Sequence, residues 1–213
     1  MSRLIVFSRE VSVSFRTNLD FFRKLTTVPR KFPPQQMILH HDACLSALHC
    51  FKALQAQQLA THFCVDNDGT VWQFADPAAD ITWHARGQYN MHNRVIKAGF
   101  NSYSIGIDIS NAVLTSFASR YIPPRTIGVR TIHGREISGL LPYPWQIDVT
   151  IDLVRLLAQQ FDIPLVTESR LIHTGEIYPS TPGVFGHLHI NPSKIDPFGF
   201  PFEEIAKIGK EGS

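Results

Sequence analysis

"THFCVDNDGTVWQFA" (residues 61–75) carries the clearest local signal in the chain. Two runs rich in β-forming residues flank Asn67-Asp68-Gly69, where glycine tolerates the positive φ of a tight turn, so the stretch reads as a β-hairpin. On its C-terminal side, "SYSIGIDIS" (102–110) alternates, with Ile105, Ile107 and Ile109 on one face and Gly106, Asp108 and Ser110 on the other. That is a strand with a lone carboxylate on its polar face. On the N-terminal side, "QMILHH" (36–41) reads as a short strand following a proline pair. Between that strand and the hairpin, "SALHCFKALQAQQLA" (46–60) spaces Leu48, Phe51, Leu54 and Leu59 among good helix formers, which predicts a helix. "TIGVRTIHGREISGLL" (126–141) suits a second hairpin turning at His133-Gly134. "IDVTIDLVRLLAQQFDIP" (147–164) places Ile147, Ile151, Val154, Leu157 and Phe161 on one helical face and stops before Pro164. Strands and helices so interspersed predict an α/β fold, a single domain with a central mixed β-sheet flanked by helices.

The 213 residues suffice for one core. No apolar run approaches the roughly 18 residues of a membrane span, so none is expected. The run "LIVF" before Arg9 is too brief for a secretory signal, and the expectation is synthesis in the cytoplasm, with action on a cell wall after release. Three cysteines without a CxxC pair argue against a disulfide framework or a cysteine-rich zinc knuckle. Charge is uneven: residues 1–35 hold seven Lys/Arg against two acids, and the remainder thirteen against sixteen. Residues 1–35 are therefore read as a basic N-terminal arm before a domain over 36–213. No aromatic-basic alternation accompanies the charge, so no nucleic-acid partner is expected, and the chain is expected to be a monomer.

"GHLHINPSKIDPFGFP" (186–201) gathers two histidines, a lysine and an aspartate within ten residues, punctuated by prolines and glycines. It reads as a shaped loop that presents chemistry. Catalytic zinc takes three protein ligands, commonly histidines with a carboxylate or cysteine. By chemistry alone His40, His41, Cys44, His49, His187 and His189 all qualify, and spacing does not choose among them. The absence of HExxH, G-x-S-x-G and a Gly-rich phosphate loop argues against helical metalloproteases, serine hydrolases and nucleotide enzymes.

Taken in order, "ILHHD", "THFCVDNDGTVWQ", "WHARG", "NSYSIGIDISN" and "GHLHINPSKIDPFGF" resemble the zinc-dependent N-acetylmuramoyl-L-alanine amidases of the type-2 amidase family, which includes amidase-type phage lysozymes and peptidoglycan recognition proteins. The resemblance covers roughly residues 36–203. It implies zinc ligands at His40, His187 and Asp196, and it puts the family's lysine at Lys194. Relatives carry their general base as Glu in a "SIGIE" strand or as Tyr before the "HF" of the hairpin. Those positions are Asp108 and Thr61 here. Threonine cannot act as a phenol, so Asp108 is the expected catalytic base, one methylene shorter than the family's glutamate, and Thr61 is left as a substrate-side residue. The resemblance also places His84 against the substrate, with Trp83 and Arg86 nearby. The implied reaction is hydrolysis of the amide between N-acetylmuramic acid and L-alanine in peptidoglycan or its fragments, in an endolysin-like or wall-recycling role. The alternative is a non-catalytic muropeptide-binding module of the same fold.

Overall fold

Six strands form one mixed sheet in the order 183–186, 36–41, 104–109, 63–65, 71–73, 17–18 in this computed structural model, which describes residues 2–85, 88–91, 94–97, 99–167, 178–179 and 181–211. The strands Gly183–Gly186, Gln36–His41, Ser104–Ile109 and Phe63–Val65 run parallel, and Val71–Gln73 returns antiparallel to Phe63–Val65. The predicted hairpin turns where Gly69 adopts φ 79° and donates its N–H to the Asp66 carbonyl at 2.9 Å. The second hairpin, Ile127–Ile132 with Arg135–Leu140, turns at His133-Gly134, both with positive φ.

Helices cover both faces of the sheet. Pro144–Phe161 starts with proline, which has no N–H to leave unsatisfied, and ends at Asp162 in the left-handed region before Ile163-Pro164. Its Leu153, Val154 and Leu157 pack on Leu39, Phe63, Ile105 and Ile107, joined by Ile205 of the helix Phe202–Glu211. On the opposite face the helix Ala47–Gln57, capped by the Ser46 side chain, sets Cys50 and Phe51 against Cys64 and Phe74. With both faces covered, all six residues of Ser104–Ile109 are buried. The polar face read from its alternation does not meet solvent. It is covered as well, and the lone carboxylate of Asp108 is buried, with 7% of its surface exposed.

Residues of the N-terminal segment, expected as an arm over 1–35, contribute to the same core. Ser2–Val6 and Arg9–Val13 form a hairpin, Thr17–Asn18 is the edge strand of the sheet, and Leu4 and Phe15 belong to the main apolar cluster. The buried Gln73 carboxamide clamps Ile5, accepting from its N–H at 2.7 Å and donating to its carbonyl at 2.6 Å. Arg30 donates to the carbonyls of Ser102 and Ser104 at 2.8 and 2.9 Å. Between the central strands and the long helix, Arg125 lies between the rings of Tyr121 and Tyr143, 4.4 and 4.3 Å from their centroids, and donates to the Ser110 carbonyl at the end of a central strand.

Candidate active site

Strand register builds the site. Asp108 pairs with His40, Cys64 with Asp108, and Gly186 with Leu39, so His187, one residue further on, comes level with His40. The row lies at the carboxyl ends of parallel strands, the edge at which open α/β sheets present ligand sites. The segment read as a loop begins as a short helix, His187–Ile190, and then turns back, with the Leu188 N–H on the Asp196 carbonyl at 2.8 Å. That return brings Asp196 to the two histidines.

His40 Nδ1, His187 Nδ1 and one Asp196 carboxylate oxygen stand 3.1, 3.3 and 3.3 Å from one another. Four ligands placed tetrahedrally at zinc bond lengths of about 2.0–2.1 Å have edges of about 3.3–3.4 Å, so this triangle has the dimensions of three such ligands. Two imidazole nitrogens and a carboxylate oxygen are also the donor set that zinc favours, and the residues fit the ion. Burial pushes the His40 imidazole down to about 4, against the opposing pull of Asp196. For Asp196 burial acts upward, but the two imidazoles beside it outweigh that and hold the carboxyl well below its usual range. Neutral imidazole and ionised carboxylate are the ligating forms.

A cleft of about 540 Å³ opens over this triangle, lined among others by Thr61, Trp83, His84, Asp108 and Lys194. Asp108 accepts from Cys50 Sγ at 3.7 Å. Burial, then the nearby Asp42 and Asp196, push its carboxyl well above the usual range. Thr61 is fully buried, and its hydroxyl donates to the Phe63 carbonyl at 3.4 Å. Lys194 is exposed at the rim, its backbone carbonyl accepting from His133 Nε2 at 3.0 Å. His84, expected from the sequence against the substrate, has both ring nitrogens engaged: Nδ1 with His40 Nε2 at 3.0 Å and Nε2 with Ser104 Oγ at 3.1 Å. Burial holds this imidazole well below its usual range. Trp83 is 41% exposed, and Arg86 lies outside the described residues.

The remaining candidates are not brought to the triangle. His41 Nδ1 accepts from the Phe198 N–H, His189 Nδ1 accepts from the Gly186 N–H, and His49 is exposed on its helix. A second cluster, Asp42 with Cys50 and Cys64, is held by hydrogen bonds: Asp42 accepts from Cys44 N–H, Asn111 N–H and Ser110 Oγ. Burial pushes the Cys64 thiol up to about 12, so it stays protonated. Sequence reasoning missed Ser104 and Cys50. Ser104 was within reach, since it shares strand parity with Gly106 and Asp108. Cys50 was not, because its contact with Asp108 depends on how a helix docks on the sheet.

The description N-acetylmuramoyl-L-alanine amidase belongs to the family whose pattern matches residues 30–199. The chain belongs to that family. No curated protein matches this amidase-family chain in sequence. Among solved structures, AmpDh3 from Pseudomonas aeruginosa in complex with anhydromuramic pentapeptide is 20% identical, with a TM-score of 0.55 over 90% of this chain and 66% of that one. AmiD from E. coli, in complex with the substrate anhydro-N-acetylmuramic acid-L-Ala-D-gamma-Glu-L-Lys, is 20% identical, with a TM-score of 0.52 over 84% of this chain and 59% of that one. A selenomethionine AmpD derivative is 13% identical, with a TM-score of 0.51 over 93% and 96%. At these identities the likeness is one of fold, and the chain spans about 59% and 66% of the lengths of AmiD and AmpDh3.

Proposed function

We propose that this chain is a zinc-dependent hydrolase that cleaves the amide between N-acetylmuramic acid and L-alanine in peptidoglycan or its fragments. The observation that carries the reading is the His40, His187 and Asp196 triangle, with its zinc-like edges, at the floor of a cleft that also holds Asp108 and Lys194. The family supports the reaction class, and the muropeptide ligands of AmiD and AmpDh3 support the substrate class. When bound by the three residues, zinc supplies Lewis acidity and makes water a nucleophile near neutral pH, which an unreactive amide requires. Asp108 takes the proton of the attacking water and returns it to the leaving amine. A carboxyl raised by burial suits that exchange, and a cation held at the neighbouring triangle acts in the opposite direction to keep it ionised. Cys50 orients the carboxylate. The Lys194 ammonium meets the negative charge that develops on the carbonyl oxygen.

Elemental analysis of the purified chain and of His187→Ala, together with mass analysis of a digested N-acetylmuramoyl peptide, tests this reading. The expected results are one zinc per chain, its loss in the variant, and release of the peptide with a free N-terminal alanine. Equal metal in both proteins would remove the ligand assignment. Zinc and muropeptide binding without cleavage would make the chain a binding module.

A further inference from the structure

We propose that Ser104 and His84 form a hydrogen-bonded relay that fixes the His40 proton on Nε2 and so presents the Nδ1 lone pair to the metal. The inference rests on the reading of His40 as a ligand given above. It makes His84 a positioning residue that acts on the ligand.

Proton counting along the relay starts at Ser104, whose Oγ donates to the Phe100 carbonyl in a short contact. A hydroxyl has one proton, so toward His84 Nε2, 3.1 Å away, the same oxygen is an acceptor. His84 Nε2 therefore carries the hydrogen. A neutral imidazole has a single N–H, which leaves His84 Nδ1 as the acceptor facing His40 Nε2 at 3.0 Å. His40 then donates from Nε2, and its Nδ1 is bare where it faces His187 Nδ1 and Asp196. The reverse assignment would turn the Ser104 proton toward His84 and set two acceptor oxygens, of Ser104 and Phe100, against each other; the adopted one leaves His40 Nδ1 and the Asp196 carboxylate as acceptors facing one point, where a bound cation satisfies both.

The fold holds this relay in place. The N–H groups of His84 and Ala85 both donate to Asn101 Oδ1, at 3.1 and 2.8 Å, which fixes the backbone that carries the ring. The ring lies over Gly106 so closely that a Cβ there would sit 2.5 Å from it. It meets His40 edge-on, at an interplanar angle of 84°. By contrast, the buried His187 Nε2 has no hydrogen-bond partner among the described residues. His40 is thus the histidine whose tautomer is dictated, and an acceptor on its distal nitrogen also makes the ligating nitrogen more basic.

The test uses the full chain loaded with zinc. Competition with a chromophoric chelator measures zinc affinity in the unaltered protein and in His84→Phe, His84→Asn and Ser104→Ala, and imidazole ¹⁵N–¹H spectra report the His40 tautomer with and without zinc. Phenylalanine keeps a ring but offers no acceptor, so zinc affinity should fall by about 10–100-fold. Asparagine restores an oxygen near the Nδ1 position and should recover most of that loss. Ser104→Ala should let zinc-free His40 show both tautomers. Unchanged affinity in His84→Phe, or His40 protonated on Nδ1 in the unaltered protein, overturns the relay. If His84→Phe fails to fold, Ser104→Ala and the spectrum of the unaltered protein decide. A chain that takes no zinc at all would remove the metal reading, while the tautomer in the metal-free spectrum still tests the relay.

Discussion

Asp108 lies directly across from His40, its register partner on the neighbouring parallel strand. Residues so paired project to the same face, so the carboxylate proposed as base and the histidine proposed as ligand belong to one row of the sheet rather than to a mobile loop. Asp108→Asn keeps the shape and the contact to Cys50 but cannot take a proton. Turnover of a soluble muropeptide should fall by about a hundredfold or more, while zinc content stays at the unaltered level. Normal turnover in this variant would exclude Asp108 as the base.

Lys194 stands on the return loop, at the rim of the same cleft. Lys194→Ala should retain fold and zinc and lose about a hundredfold in kcat, the usual effect of removing one stabiliser of a developing oxyanion. Steady-state kinetics beside metal analysis separates the outcomes: unchanged kcat removes Lys194 from the reaction, and lost metal makes it a support of the loop.

Leu4 is fully buried in the main core, whereas Arg9, Lys24 and Lys31 of the same N-terminal segment are exposed. Leu4→Ala should cost about 2–5 kcal/mol in denaturant unfolding, as for other large-to-small core changes. Converting the three basic residues to glutamine should instead leave stability and turnover of a soluble muropeptide near their original values. It should weaken sedimentation with intact walls most at low salt, because exposed charges are screened over about 10 Å at 0.1 M. A stable Leu4→Ala protein would show that the segment contributes little to the core.

His62 gives the fold a predictable response to acid. It accepts the Gly106 N–H on Nδ1 at 3.0 Å, and burial, with the Arg30 charge adding, lowers its pKa to about 3. Because the folded-state value lies below the unfolded one of about 6.5, the unfolded chain binds this proton first. The stability contributed by neutral His62 is therefore complete above pH 6.5 and is lost as pH falls toward 3. One proton corresponds to about 1.4 kcal/mol per pH unit across that window. His62→Gln should flatten the pH dependence of unfolding free energy between pH 6 and 4 by that slope, and an unaltered slope would contradict it.

The sequence by itself determined the local elements. Alternation at Ile105, Ile107 and Ile109 made a strand, Gly69 and Gly134 fixed hairpin turns, and Pro164 limited the long helix, because each signal acts over a few residues. The resemblance carried by five ordered motifs named the residues His40, His187 and Asp196, and the fold brings them together. Only the tertiary structure decided what each polar residue faces. Asp108 is buried because helices cover both sides of its strand, His84 turns to His40 because Gly106 leaves room for its ring, and Leu4 enters the core because the first hairpin folds back on the sheet. These are contacts between residues dozens of positions apart, such as the 44 that separate His40 from His84. Periodicity says which side of an element a residue occupies. What packs against that side depends on how the elements dock, and no local pattern encodes it.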